Sequence, residues 1–317
     1  MRKLIGLVFI FITVSAAFFS YLTFWPKATA NLSSPLPKAV ESILGEKSDD
    51  FFYSENLWLP QDIITLAGAN SPQVTAEAVY VIDITSDKVL YAKNIHERRP
   101  IASTVKIMTA AIALERAKPI EVFTVSENAA HIGEDFMGAT VGEKYTLTEL
   151  LYGLLLPSGN DAAEALAEGV GGSRVGFVKM MNEKASLLGL RDTKFVNPSG
   201  LDGDGEHYSS AYDLAVIAHY AWVNFPLFRE VVGTYDTVLP YSDNHKYLYL
   251  QNQTNLLTSY PGVKGIKPGY TPDAGLCLVT LAERGGHQVL GVVLGSTDRR
   301  GDMEMLLNYS FATLDVK

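Results

Sequence analysis

At 317 residues the chain has room for two domains at most, or one large domain with an extension; 47% hydrophobic against 19% charged residues describes a globular polypeptide rather than a disordered one. A formal charge of −9, with no run of basic residues, excludes nucleic acid as the main partner, because a phosphate-binding face needs concentrated Lys and Arg. The single cysteine, Cys277, rules out an internal disulfide and a cysteine-rich metal site, and its apolar neighbours make it a small core hydrophobe.

In chain order, Arg2 and Lys3 precede an uncharged stretch over residues 4–25, LIGLVFIFITVSAAFFSYLTFW. A signal-peptide core takes about 7–15 apolar residues and a membrane-spanning helix about 20. The stretch meets the longer requirement, with its positive residues on the side that stays in the cytoplasm. Against that, Ala28 and Ala30 have the small-x-small spacing that a signal peptidase accepts. An uncleaved anchor is the favoured reading of residues 1–30 and a cleaved signal the other; both export the rest of the chain. Residues 31–73 read as linker and spacer, with an aromatic piece packed onto the main domain, which occupies 74–317.

Regular structure begins at AEAVYVIDITSDKVLYAKN, where Val79, Tyr80, Val81 and Ile82, then Val89 and Tyr91, flank a Thr85-Ser86-Asp87 turn and predict a hairpin. After Pro100 the composition switches to helix at IASTVKIMTAAIALERAK. The middle is helical: TLTELLYGLLLPSGNDAAEALAEGV, which opens on a capping-box spacing at Thr146 and Glu149, then SRVGFVKMMNEKASLLGL and an amphipathic SSAYDLAVIAHYAWVNF. The last third returns to strands at CLVTLAE and QVLGVVLGS and closes on a helix, MEMLLNYSFATL. Strands, helices, strands, helix predict an α+β fold: an antiparallel sheet built from both ends of the chain, with an all-helical insertion between them.

Three short stretches can carry chemistry. Ser103 and Lys106 lie three apart at a helix start and share one face. A serine hydroxyl needs a base to become a nucleophile, and a lysine amine serves when its pKa is lowered. The helix N-terminus adds N–H groups where an oxyanion would form. In LLLPSGNDAAE, Ser158 and Asn160 share one tight connection, suited to relaying a proton and holding an amide. In GVKGIKPGYTPDAGLCLV, Lys267 precedes Gly269, which lets a substrate lie close to the strand backbone. Pro268 between them restricts this stretch to a sheet edge or bulge.

Taken together, S-x-x-K, S-x-N and the lysine-glycine stretch resemble the signature set of penicillin-binding proteins and serine β-lactamases. The longer stretches VIDITSDKVLYAKNIHERRPIASTVKIMTA, LTELLYGLLLPSGNDAAEALAE and FVNPSGLDGDGEHYSSAYDLAVIA are similar to low-molecular-weight D-alanyl-D-alanine carboxypeptidases, and the likeness runs from about residue 74 to the C-terminus. It implies the β-lactamase/transpeptidase-like fold and a serine peptidase that trims the terminal D-alanine from peptidoglycan stem peptides, with β-lactam antibiotics as acylating inhibitors. Ser103 would form the acyl-enzyme. Lys106 would be its base, with Ser158 as proton shuttle and Asn160 holding Lys106 and the substrate amide. Lys267 and Arg299 (Arg300 being the alternative) would face the substrate carboxylate, and the N–H groups of Ser103 and Tyr270 would form the oxyanion hole. No cofactor is implied.

The chain departs from the family at Pro268, where relatives carry a Thr or Ser hydroxyl that binds the carboxylate; Thr271 or the arginines are expected to compensate. Many relatives add a further β domain and a C-terminal amphipathic helix, which this sequence does not carry on beyond the core, so the N-terminal anchor is expected to hold it on the outer face of the cytoplasmic membrane. A D,D-endopeptidase uses the same residues, and a penicillin-binding wall protein without hydrolysis is the non-enzymatic alternative. A class A β-lactamase would add a glutamate and asparagine on a loop between Asn160 and Lys267, and no convincing match is present.

Overall fold

The computed structural model describes residues 57–63, 71–254 and 256–316. The anchor expected over 1–30 and most of the spacer over 31–73 lie outside them. Strands β1 (Ala78–Asp83) and β2 (Lys88–Lys93) form the predicted hairpin. After Pro100 the chain makes a 3-10 turn, Ala102–Val105, that runs directly into helix α1 (Lys106–Arg116). A short antiparallel pair, β3 (Val122–Thr124) and β4 (Lys144–Thr146), flanks the four-residue helix α2 (Glu127–Ala130). The helical middle follows as α3 (Leu147–Leu155), α4 (Asn160–Gly171), α5 (Arg174–Leu187), α6 (Ala211–Asn224) and α7 (Pro226–Gly233). Strands β5 (Asp236–Leu239) and β6 (Leu248–Gln251) pair with each other. Helix α8 (Leu256–Ser259) leads into β7 (Val263–Thr271), β8 (Gly275–Arg284), β9 (His287–Ser296) and the closing helix α9 (Arg299–Thr313).

The main sheet has the order β2-β1-β9-β8-β7, antiparallel throughout. Its strands come from the two ends of the chain with the helical segment between, the α+β arrangement that the order of elements predicted. Period-two geometry sends alternate residues to opposite faces. Tyr80, Ile82, Cys277, Val279, Leu290 and Val292 therefore join the larger core, shared with the helical middle. Val79, Val81, Leu278, Val289 and Val293 join a smaller one closed by Met303, Leu306 and Phe311 of α9. Cys277 is fully buried, and burial pushes its thiol up to about 11, which suits a packing residue and not a nucleophile. Strand β7 lies at the sheet edge, the place where Pro268 is tolerated.

Helix α6 differs from the amphipathic helix expected. It packs against α1, β9 and β1, so only Val223 is exposed along it. Two of its side chains meet the segment 57–63: the Tyr212 hydroxyl donates to the Pro60 carbonyl at 2.9 Å, and His219 stacks on Trp58 with ring centroids 3.8 Å apart. Helix α3 begins as expected, with Thr146 and Glu149 forming a reciprocal capping box. Among the described residues, no helix is long and apolar enough to cross a membrane.

Candidate active site

Ser103 sits in the 3-10 turn, half-buried, and Lys106 is the first residue of α1. The three-residue spacing brings Lys106 Nζ to 2.8 Å from Ser103 Oγ. The turn is held from two sides by backbone that a side chain would push away. A Cβ on Gly269 of β7 would lie 3.0 Å from the Ser103 nitrogen; one on Gly200, where φ is +86°, would lie 2.1 Å from the Ala102 carbonyl oxygen. The glycine of the third motif thus serves close packing of the strand against the Ser103 turn, where the sequence suggested close approach of a substrate. A cavity of about 660 Å³ opens beside this turn, lined among others by Pro100, Ala102, Gly200, Tyr208 and Asp273.

Lys106 is fully buried, and its nitrogen makes two further contacts, donating to Asn160 Oδ1 at 2.7 Å and to the Ser199 carbonyl at 2.7 Å. Both partners can only accept. They occupy two N–H bonds, so a neutral amine is left with its lone pair facing the Ser103 hydroxyl. Burial, opposed by the nearby carboxylates of Asp135, Asp161, Glu134 and Glu164, brings Lys106 down to about 7. A base poised near neutrality beside a hydroxyl is what acyl transfer to serine requires.

Asn160 opens α4 and cannot turn its amide around, because its Nδ2 donates to the Gly133 carbonyl at 3.1 Å. Its neighbour Asp161 accepts from the backbone nitrogens of Met137, Gly138 and Ala139 at 2.8, 3.0 and 2.9 Å, which pins the loop 133–139 beside the site. Ser158 is buried with φ at +67°, a conformation that strains any residue except glycine, and its hydroxyl has no hydrogen-bond partner among the described residues. Residues held in such sparsely populated backbone conformations cluster at active sites.

On β7, Lys267 is fully buried and donates to the Pro268 carbonyl at 3.1 Å. Burial first, then the charges of Lys106 and Arg299, hold its amine well below the usual lysine value. Arg299 donates to the Gly269 carbonyl at 2.6 Å, whereas Arg300 turns to Glu304 at the surface, so the geometry brings Arg299 and not Arg300 to the strand. Tyr270 is exposed at the edge. The Thr271 hydroxyl accepts from the Ala274 nitrogen at 3.1 Å in the β7–β8 turn, which leaves its O–H free to donate. Among the described residues no group of three His, Cys, Asp or Glu side chains is placed to hold a metal ion.

Two functional positions had no sequence signal of their own. Ser199 contributes only a carbonyl, which no motif reports. Asn197 holds that carbonyl in place: its Oδ1 accepts from Gly200 N at 2.7 Å and Ser199 N at 3.2 Å. The stretch FVNPSGL was legible as part of the likeness, yet nothing in its spacing tied it to Lys106.

The chain has the fold of the DD-peptidases: the crystal structure of the Streptomyces K15 DD-transpeptidase superposes with a TM-score of 0.72 at 35% identity, covering 77% of this chain and 100% of that one. The chain is 38% identical over 245 residues to the D-alanyl-D-alanine carboxypeptidase DacF of Bacillus subtilis, spanning 75% of this chain and 62% of that relative. It is 37% identical over 262 residues to the D-alanyl-D-alanine carboxypeptidase of Streptomyces sp. strain K15, spanning 76% and 89%. Residues 65–298 match the family described as D-alanyl-D-alanine carboxypeptidase, and the chain belongs to that family.

Proposed function

We propose that this chain is a serine-type D-Ala-D-Ala carboxypeptidase that removes the terminal D-alanine from peptidoglycan stem pentapeptides and is acylated by β-lactams. The observation that carries this reading is the Lys106 amine, its two N–H bonds taken by Asn160 and Ser199 and its third direction on Ser103 Oγ. Ser103 Oγ attacks the carbonyl of the penultimate D-alanine while its proton passes to Lys106. The tetrahedral oxyanion is met by the N–H groups of Ser103 and Tyr270. Proton return to the leaving nitrogen, through the Ser158 hydroxyl, breaks the amide bond and releases D-alanine. Water then attacks the ester, giving up its proton to the same lysine, which returns it to Ser103 Oγ as the acyl–Oγ bond breaks and the shortened peptide leaves.

Lys267 and Arg299 supply positive charge for the substrate's terminal carboxylate, with Arg299 held against the Gly269 carbonyl on the strand that the peptide would lie along. The catalytic region is residues 74–317, exported by the segment 1–30, which holds it as an anchor on the outer face of the membrane. Pro268, at the position of the missing hydroxyl, favours a second reading in which carboxylate capture is weak and acylation outlasts hydrolysis. The full-length chain should be labelled covalently by a fluorescent penicillin, and Ser103→Ala should abolish the label; a labelled Ser103→Ala variant would overturn the assignment. D-Alanine released from a pentapeptide, compared with cleavage of a cross-linked dimer, separates carboxypeptidase from endopeptidase. Labelling with neither release supports the second reading.

A further inference from the structure

One buried charge has no part in the reaction so far described. Glu164 lies one turn beyond Asn160 on α4, fully buried, and neither carboxylate oxygen has a hydrogen-bond donor among the described residues. A carboxylate is unfavourable in such a place unless a cation accompanies it. The cation is Arg174, the first residue of α5, whose Nε stands 3.4 Å from Glu164 Oε1. The same guanidinium bonds Asp204 of the loop 200–208. Asp204 in turn accepts from Asn197 Nδ2 at 2.9 Å. Asn197 fixes the backbone of Ser199 and Gly200, so the Lys106 partner and the residue packed on Ala102 both sit at the end of this chain of contacts.

We propose that Glu164 is a positioning residue for acylation: by holding Arg174 it sets Asp204 and Asn197, which present the Ser199 carbonyl to Lys106 and so keep the amine's lone pair on Ser103. The inference rests on the reading of Ser103 and Lys106 as nucleophile and base. The charged groups that face Glu164 are Arg174, Glu168, Asp204 and Lys106, and those that face Lys106 are Asp135, Asp161, Glu134, Glu164 and Lys267. Burial pushes Glu164 up to about 7, so its charge changes in the range where Lys106 also titrates. Glu164⁻ favours the charged lysine; removing that charge lowers the lysine's pKa and moves the acid limb of the acylation rate toward lower pH.

The test is single-turnover acylation by a fluorescent penicillin from pH 5 to 9, with full-length wild type, Glu164→Gln, Arg174→Ala, the double variant, and Asp204→Asn. The glutamine variant is expected to lose roughly tenfold in its plateau rate with its acid limb shifted to lower pH. Arg174→Ala should add no further loss in the glutamine background, because Glu164 acts only through its hold on Arg174. Asp204→Asn, on the partly exposed part of the chain of contacts, should lose a similar factor and serves if the glutamine variant does not fold. A merely structural Glu164 would lower the folded fraction and leave the limb where it was. Wild-type plateau and limb in the glutamine variant, additive losses, or a fully active Asp204→Asn would overturn the inference. No labelling of Ser103 in wild type would instead overturn the acylation reading beneath it.

Discussion

Lys106 shows how much one side chain depends on burial. Its folded value of about 7 lies below the usual 10.5, so the unfolded chain binds more protons between those pH values. Stability contributed by this group therefore rises with pH across that window and is lowest below about 7. With Lys106 as the proposed base, activity follows the same direction, because only a neutral amine can accept the Ser103 proton. Acylation by penicillin is expected to rise about tenfold per pH unit below pH 6 and to level off above pH 8, measured by stopped-flow labelling. A rate independent of pH over this range would separate Lys106 from proton transfer. Pro268 is the other residue whose identity sets the outcome. Restoring a hydroxyl with Pro268→Thr adds a hydrogen bond to a charged carboxylate, worth about 1.5–3 kcal/mol. KM for a D-Ala-D-Ala peptide is expected to fall about tenfold or more, and penicillin, which carries a carboxylate of its own, should acylate faster as well; an unchanged KM would show that Lys267 and Arg299 already saturate carboxylate binding.

At the scale of elements, the site is the meeting of four backbones: the 3-10 turn before α1, the start of α4, the loop after Asn197, and the edge strand β7. Gly200 and Gly269 let two of them close on the turn. An alanine at Gly200 meets the Ala102 carbonyl and adopts a positive φ, so Gly200→Ala is expected to destabilise the fold by about 3 kcal/mol or more, read from urea unfolding. Gly269→Ala meets a backbone nitrogen at 3.0 Å at φ that any residue adopts, so it should fold and lose acylation about a hundredfold as Ser103 shifts. Full activity in that variant would mean that β7 moves freely away from the turn. The sequence was informative about these elements where side chains carry the signal. Strand alternation at residues 79–82, the Thr146–Glu149 box and the Ser103–Lys106 spacing are all local. It was silent where the backbone acts: the Ser199 carbonyl has no side-chain signature, and the pairs β3–β4 and β5–β6, three or four residues per strand, are too short to show a period. Helix α6 was legible as a helix, but its burial on nearly all sides depends on packing partners distant in sequence.

For the whole molecule, the ends of the described catalytic body meet at one carboxylate. Asp302 on α9 is buried and accepts from Thr75 N at 2.8 Å, Ala76 N at 2.9 Å, Thr75 Oγ1 at 2.8 Å and Ser296 Oγ at 2.7 Å. It ties the residues that lead into β1 to the end of β9, the pair of strands through which the two halves of the sheet join. Loop closure across more than two hundred residues is costly in entropy, so a fold joined in this way depends on contacts that fasten its ends. Asp302→Ala would leave one buried and one partly buried N–H group and two hydroxyls without their shared acceptor. Since unsatisfied buried donors are costly, a loss of about 3 kcal/mol is expected, seen as a lower urea midpoint at unchanged m. Asp302 bonds Thr75, Ala76 and Ser296, whereas Arg299 one turn earlier bonds the Gly269 carbonyl of β7. Below the midpoint the folded Asp302→Ala protein should therefore label with penicillin within a few-fold of wild type. Loss of labelling in the folded variant would instead mean that the N-terminus of α9 sets the position of β7 through Arg299, and that the fastening of the sheet and the shape of the cleft are one property.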